Sequence, residues 1–183
     1  MVEVRLARAS DAAAIARIDV EAWRASYAGI LPRRMLVDMS ERRRRAVWAT
    51  ALMREPGLIL VGSDAFGAVA GFGSFGRRRD GDPAFAGEIF TLYVAPDRQN
   101  RGIGRALMHG MFERLLRVQL DSALVWVLRA NPARFFYERL GGRICGERLL
   151  PVGGIDVEAL AYGWRDLGAT LRDSVPRSRW ATE

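Results

Sequence analysis

The chain contains no lysine. All 28 basic residues are arginine, set against 21 acidic residues for a formal net charge of +7. Catalysis through a lysine Schiff base is thereby excluded. A single histidine, His109, and a single cysteine, Cys145, exclude an intramolecular disulfide, a Cys-X-X-Cys redox pair and any zinc site made of Cys and His alone. Asparagine is almost as scarce, with only Asn100 and Asn131. No uninterrupted apolar run approaches the ~18 residues that a membrane span requires. At the amino terminus Val2, Val4 and Leu6 alternate with Glu3 and Arg5, a strand pattern rather than a secretory one. The expectation is a soluble, cytoplasmic protein.

What is present describes an ordinary globular domain. The 183 residues are half apolar and about a quarter charged, enough to build one core. Residues 1–167 are expected to form that domain, with 168–183 a polar tail whose composition predicts disorder. The arginine excess by itself is a weak pointer to nucleic acid, because arginine without lysine also follows from the codon bias of a GC-rich genome. No basic surface interleaved with aromatics is visible, which argues against a nucleic-acid module.

Hydrophobic spacing predicts the elements. A strand over residues 2–6 precedes a helix from Ala12 to Trp23, opened by Ser10 and Asp11 and carrying Ile15, Ile18 and Ala22 on one face. A second helix is expected from Glu41 to Met53, with Val47, Trp48, Ala51 and Leu52 as its buried stripe. Leu58–Gly62 and Ala65–Phe75 read as a hairpin whose glycines, Gly67, Gly71 and Gly73, let another group approach the backbone closely. After a polar loop with a Gly-Asp-Pro turn signal, Gly87 to Ala95 is a strong strand stopped by Pro96. A helix follows over Ile103 to Val118, then a doubly covered strand at Ala123–Leu128. Asn131-Pro132 opens another helix that ends at Gly141-Gly142. Strands near Arg143–Leu149 and Ile155–Tyr162 close the domain. This order describes a mixed α/β fold, and the central strand–helix–strand step is long enough for a right-handed parallel crossover.

Between the strong strand and its helix lies Gln99-X-X-Gly102-X-Gly104. The glycines allow backbone to approach a ligand, and the first amides of the new helix lie at the positive end of its dipole. Arg98, Arg101 and Arg105 add cations within one turn. A lone Gly-X-Gly also serves as a simple strand-to-helix turn, so this element leaves anion binding and tight turning equally open.

The whole stretch from Glu88 to Gly141 resembles the GNAT N-acetyltransferase superfamily. Leu92-Tyr93-Val94 followed by Gln99-X-X-Gly102-X-Gly104 is similar to the family's acetyl-coenzyme A motif. Asn131 with Phe136-Tyr137-Glu138-Arg139-Leu140-Gly141 is similar to its downstream motif. One departure is Gly142, where the family often carries phenylalanine. The resemblance implies a mostly antiparallel central sheet with helices on both faces. It implies acetyl-CoA as co-substrate, a primary amine of a small molecule or peptide N-terminus as acceptor, and direct attack within a ternary complex. Homodimers are common in the family.

Residue roles follow from the same resemblance. Pantetheine would lie along Leu92, Tyr93 and Val94, and the pyrophosphate on Gln99, Asn100, Arg101, Gly102, Ile103, Gly104 and Arg105. Asn131 either caps its helix or holds the pantetheine arm, or does both. Glu88 stands where members with a glutamate base carry it; the alternatives are a solvated glutamate or an arginine partner. Tyr137 matches the family's general acid. An ordinary tyrosine, at ~10, is a weaker acid than a thiol at ~8.5, so a hydrogen bond to the leaving thiolate is as reasonable as full proton donation. No metal is expected. A different class of function on this fold is an acyl-CoA-binding or sensing protein with little turnover.

Other residues read as bystanders or remain open. His109 shares the polar stripe of its helix with Arg105 and Glu113, and Cys145 reads as a small packing residue in a strand. Arg42–Arg45 read as a solvated face, while Arg77–Arg79 are candidates for a cofactor phosphate or a partner. Trp23, Tyr27, Leu31 and Trp48 are candidates for the acceptor side, with core packing expected for at least two. Asp19, Glu21 and Asp38 are candidate attractors of an ammonium group.

Overall fold

The computed structural model describes residues 2–79 and 83–173. A seven-stranded sheet has the order β1-β2-β3-β4-β5-β7-β6. Its strands are β1 (Glu3–Leu6), β2 (Ile59–Ser63), β3 (Val69–Arg77), β4 (Gly87–Val94), β5 (Ala123–Leu128), β6 (Arg143–Val152) and β7 (Ile155–Trp164). Helices α1 (Ala12–Ser26), α2 (Arg33–Val37) and α3 (Glu41–Arg54) lie amino-terminal to β2. Helix α4 (Ile103–Arg117) makes the crossover from β4 to β5, α5 (Arg134–Arg139) follows β5, and α6 (Leu167–Asp173) follows β7. All described pairings are antiparallel except β4 with β5. This is the mixed, mostly antiparallel sheet that the resemblance implies.

Two cores form on the two faces. Helix α4 inserts Leu107, Met108, Met111, Phe112 and Leu115, each fully buried, against β3, β4 and β5. At ~1.5–3 kcal/mol for each large apolar side chain removed from water, this is the principal anchor of the fold. The glycines of β3 make the approach possible. A Cβ on Gly73 would stand 2.8 Å from the Met111 side chain, and one on Gly71 3.0 Å from Ile103. On the opposite face Ile15, Ile18, Trp48, Phe72 and Val61 join α1 and α3 to the sheet.

Several local expectations change in three dimensions. Val47 points outward at 53 % exposure while Trp48 is buried, so the stripe of α3 is narrower than its spacing suggests. Asp11 closes the turn before α1 by reaching back, accepting from Arg8 N at 2.7 Å and pairing with Arg5. His109 is half-buried rather than on a solvated stripe. The short helix α2 was not foreseen. Helix α6 begins at Leu167, the last residue of the expected domain, and runs into the expected tail; buried Leu167 and half-buried Leu171 join the α4 core. Residues 174–183 and the Gly81-Asp82 part of the turn signal lie outside the described residues.

Candidate active site

Strands β4 and β5 pair only between Gly87–Ile89 and Ala123–Val125, and then part. The cause lies on the other edge of β4. Thr91 pairs with Ser74 and Ile89 with Phe75, which leaves Phe90 as an extra residue. Such a bulge bends its strand and increases the local twist. Here it directs the remainder of β4 away from β5 and opens a cleft of about 560 Å³.

One end of the cleft is the turn into α4. Asn100 and Gly102 both take left-handed conformations, with φ of 60° and 82°. These bring the chain sharply round so that Gly102, Ile103, Gly104 and Arg105 face the cleft. The first N–H groups of α4 have no intrahelical acceptor and carry the positive end of its dipole. Arg98 is committed elsewhere, to Asp64 at 3.2 Å and Asp97 at 3.0 Å. Asp64 in turn accepts from Phe66 N and Ala68 N, so Arg98 ties this turn to the β2–β3 hairpin. Arg98 and Arg105 both line the cleft, and Arg105 is the one outside these ion pairs, while Arg101 is exposed beside it and outside the lining. Backbone donors, a helix dipole and an adjacent guanidinium fit a diphosphate.

The middle of the cleft is an open strand edge. Ala95 N donates to Ala70 O of β3, so strand alternation turns the N–H groups of Leu92 and Val94 toward the gap left by β5. Leu92, Tyr93 and Val94 all line the cleft. An extended amide-bearing arm fits there as a further strand, and the combination of edge and diphosphate cradle fits coenzyme A. Asn131 lines the cleft while its Oδ1 accepts from Ala133 N at 2.9 Å. This closes an Asx turn ahead of α5, whose N-cap is Ala133 with no side-chain cap, so the expected capping by Asn131 is not what the fold uses.

The other end is aromatic. Tyr27 at the end of α1, Phe90 and Tyr93 of β4, Trp126 of β5 and Tyr137 of α5 converge there with Ser26 and Thr91. Tyr27 and Tyr93 hydroxyls approach to 3.5 Å. Burial raises the Tyr137 phenol well above its ordinary value, with Tyr27 adding to the shift. Burial also raises Tyr27, offset by hydrogen bonds from Tyr93 and Asn131, and it raises Tyr93 strongly, reinforced by Tyr27. All three remain protonated donors near neutral pH.

Glu88 lies outside this lining. It is 1 % exposed, and both its oxygens are held by Arg79, Oε1 from Nη2 at 2.5 Å and Oε2 from the Arg79 backbone N at 3.0 Å. Arg79 also stacks on Phe90, its guanidinium carbon 4.4 Å from the ring centroid. The arginine-partner alternative is thus the geometry found. Arg77–Arg79 stand beside the start of β4, the far end of that strand from the phosphate turn, roughly 25 Å away at 3.3 Å per residue. Asp19 is wholly buried, accepting from Trp48 Nε1 at 2.8 Å and paired with Arg44. Arg44 therefore has an anchoring role that a solvated face did not anticipate. Glu21 pairs with Arg17 and Asp38 with Arg34, so none of the three candidate ammonium attractors reaches the cleft. Of the aromatic and apolar candidates, Tyr27 lines it, Trp23 stacks on Tyr27 at 4.8 Å, and Leu31 and Trp48 are core. Sequence reading missed Phe90, Thr91 and Trp126, since neither a bulge nor a parting of strands has a signature in one chain.

The sequence profile of the acetyltransferase (GNAT) family matches residues 16–142. The chain is 32 % identical over 169 residues to the uncharacterized N-acetyltransferase YuaI of Bacillus subtilis (strain 168), covering 92 % of this chain and 96 % of the relative. It superposes on the PaiA N-acetyltransferase of Thermoplasma acidophilum in complex with coenzyme A at TM-score 0.66 and 17 % identity, over 90 % of this chain and 99 % of that one. For YncA of Salmonella typhimurium with acetyl-CoA the values are 0.67 and 23 %, over 91 % and 94 %. The chain belongs to the GNAT acetyltransferase family and is an acetyl-CoA-dependent N-acetyltransferase.

Proposed function

We propose that this protein acetylates a primary amine of a small molecule or peptide N-terminus in a ternary complex, the amine's proton leaving through water. The observation that carries this reading is the make-up of the cleft wall. Among the described residues, no carboxylate and no imidazole lines it, and its tyrosines are raised away from ionisation. Glu88, buried under Arg79, is assigned a positioning role through Arg79 and Phe90 instead of the role of base.

Acetyl-CoA, when bound, supplies an acyl group activated as its thioester. The α4 amides and Arg105 hold the diphosphate, and the Leu92 and Val94 N–H groups hold the extended arm. An N–H at this edge also stabilises negative charge that develops on an acyl oxygen. Tyr137 Oη donates a hydrogen bond to the departing sulfur. With its phenol raised further above the thiol range, complete proton transfer is more uphill than for an unperturbed tyrosine, which favours a hydrogen bond over full donation. Positioning supplies much of the acceleration.

The reaction is assigned to the cytoplasm, in keeping with a lone cysteine and with the absence, among the described residues, of any helix long and apolar enough to cross a membrane. A homodimer is the accompanying expectation. The deciding experiment is coenzyme A release against an amine panel between pH 5 and 10. In this reading kcat/KM rises tenfold per pH unit, following the free amine up to its own pKa, with no enzymic inflection between pH 5 and 7. An inflection in that range establishes an enzymic base. Tight acetyl-CoA binding without turnover on any amine favours the sensing alternative.

A further inference from the structure

Asp64 lies where the β2–β3 hairpin begins to turn, and it is buried. Its two carboxylate oxygens face different partners. Oδ1 accepts from Phe66 N at 2.9 Å and from Ala68 N at 3.1 Å, inside the hairpin. Oδ2 meets Arg98 Nη1 at 3.2 Å, in the turn that leads from β4 into α4. The Phe66 and Ala68 amides, with Arg98 and Arg101 adding to them, hold the carboxyl below the ordinary carboxylate range. Asp64 therefore stays ionised at neutral pH.

The hairpin is a fixed reference for the end of β4. Gly71 pairs with Val94, and Ala70 O accepts from Ala95 N at 2.8 Å. Beyond Ala95 the chain leaves the sheet, and Asn100 and Gly102 take left-handed conformations before α4 begins at Ile103. A turn that holds a non-glycine residue in that region keeps its shape only where its surroundings fix it. The Asp64–Arg98 pair attaches this turn to the sheet by side chains.

On charge alone the carboxylate is misplaced. Arg98 lines the cleft at the end assigned to the diphosphate, and a carboxylate beside an anion site opposes binding. Asp64 favours binding only through the geometry that it imposes.

We infer that Asp64 is a positioning residue for the coenzyme: through Arg98 it anchors the β4–α4 turn to the β2–β3 hairpin, which keeps the first amides of α4 directed at the diphosphate. This rests on the reading of that turn as the diphosphate cradle and extends it to a residue outside the cleft lining.

The test is calorimetric titration with coenzyme A and with pantetheine, which lacks the diphosphate. Asp64→Asn keeps an amide oxygen for Phe66 N and Ala68 N but loses the charge that holds Arg98. The coenzyme A Kd is expected to rise about tenfold, although a negative charge has been removed from beside an anion site. Unchanged or tighter binding overturns the inference, because Asp64 is then only an electrostatic neighbour. Arg98→Met, on a side chain 32 % exposed, reads the same link from its other end and is expected to weaken binding at least as much. In that background Asp64→Asn should shift the Kd by less than about twofold. A further tenfold loss there overturns the inference, since Asp64 then acts through something other than Arg98. In initial-rate assays the loss falls on KM for acetyl-CoA and spares KM for the amine, whereas equal losses mark general disruption and overturn it. If coenzyme A and pantetheine bind the wild-type protein equally tightly, the diphosphate reading fails together with the inference. A wild-type preference for coenzyme A that Asp64→Asn leaves intact overturns the inference alone.

Discussion

At the phosphate end of the cleft one stretch, Arg98 to Arg105, supplies the turn, the donors and the cations. At the acceptor end Tyr27, Phe90, Trp126 and Tyr137 arrive from α1, β4, β5 and α5, and no two are neighbours in sequence. The first end is polar, with its binding groups fixed by backbone conformation. The second is aromatic, and its shape depends on how far β4 departs from β5. A diphosphate needs charge and backbone donors that a single turn can present. A small acceptor needs a surface, and a surface needs several elements.

The largest effect is expected where the phosphate end loses a cation. Arg105→Ala should raise the acetyl-CoA Kd about 100-fold, from about 3 kcal/mol of charge-assisted contacts. Calorimetry at two salt concentrations checks this, with weaker salt dependence in the variant. A change below threefold would mean that the α4 amides hold the diphosphate unaided, sharpening the view of a site made by backbone.

Tyr137→Phe tests the other end and should lower kcat about 10- to 100-fold without raising the acetyl-CoA Kd. It carries a stability signature too. Burial raises the phenol in the fold, so above about pH 10 the unfolded chain releases a proton that the folded one keeps. Stability from this group is therefore full below pH 10 and is lost as pH rises beyond it. The variant should show a shallower alkaline fall in Tm. A Tyr137→Phe enzyme with normal kcat would remove the hydrogen bond to sulfur from the mechanism.

The smallest effect on rate is expected at Glu88→Gln, with kcat within about threefold of wild type. The ion pair it breaks is buried on one side only, since Arg79 is 64 % exposed. Solvent screening limits the loss to about 1 kcal/mol, or a few degrees in Tm. A hundredfold fall in kcat together with loss of an acidic inflection in the pH–rate profile would return Glu88 to the role of base.

The same contrast governs how much was legible from sequence. The order of strands, the β4–α4–β5 crossover and the Gln99–Gly104 turn are written locally, as periodicity, a proline stop and glycines. Tyr137 was legible through a motif in one short helix, and Asn131 through its place just ahead of it. The pairing of Glu88 with Arg79 was one of three readings, because nothing near Glu88 in sequence states which way its strand face points. Phe90 and Trp126 gave no sign of their role, since one depends on a bulge set by register against β3 and the other on the gap that the bulge creates. Asp19 likewise looked like a surface carboxylate until α3 brought Arg44 and Trp48 onto it.

The sequence by itself determined the fold class, the family and the glycine turn proposed to hold the diphosphate, because helix and strand periods and a glycine's conformational freedom act over a few residues. It also determined that no lysine takes part in catalysis. Tertiary structure decided which groups share the cleft, that no carboxylate among the described residues lines its wall, and that Arg148 reaches Trp126 across β7. Those outcomes depend on register, bulges and the meeting of distant elements. Burial then settles which groups hold their protons, since desolvation is a property of the packed molecule and not of the chain.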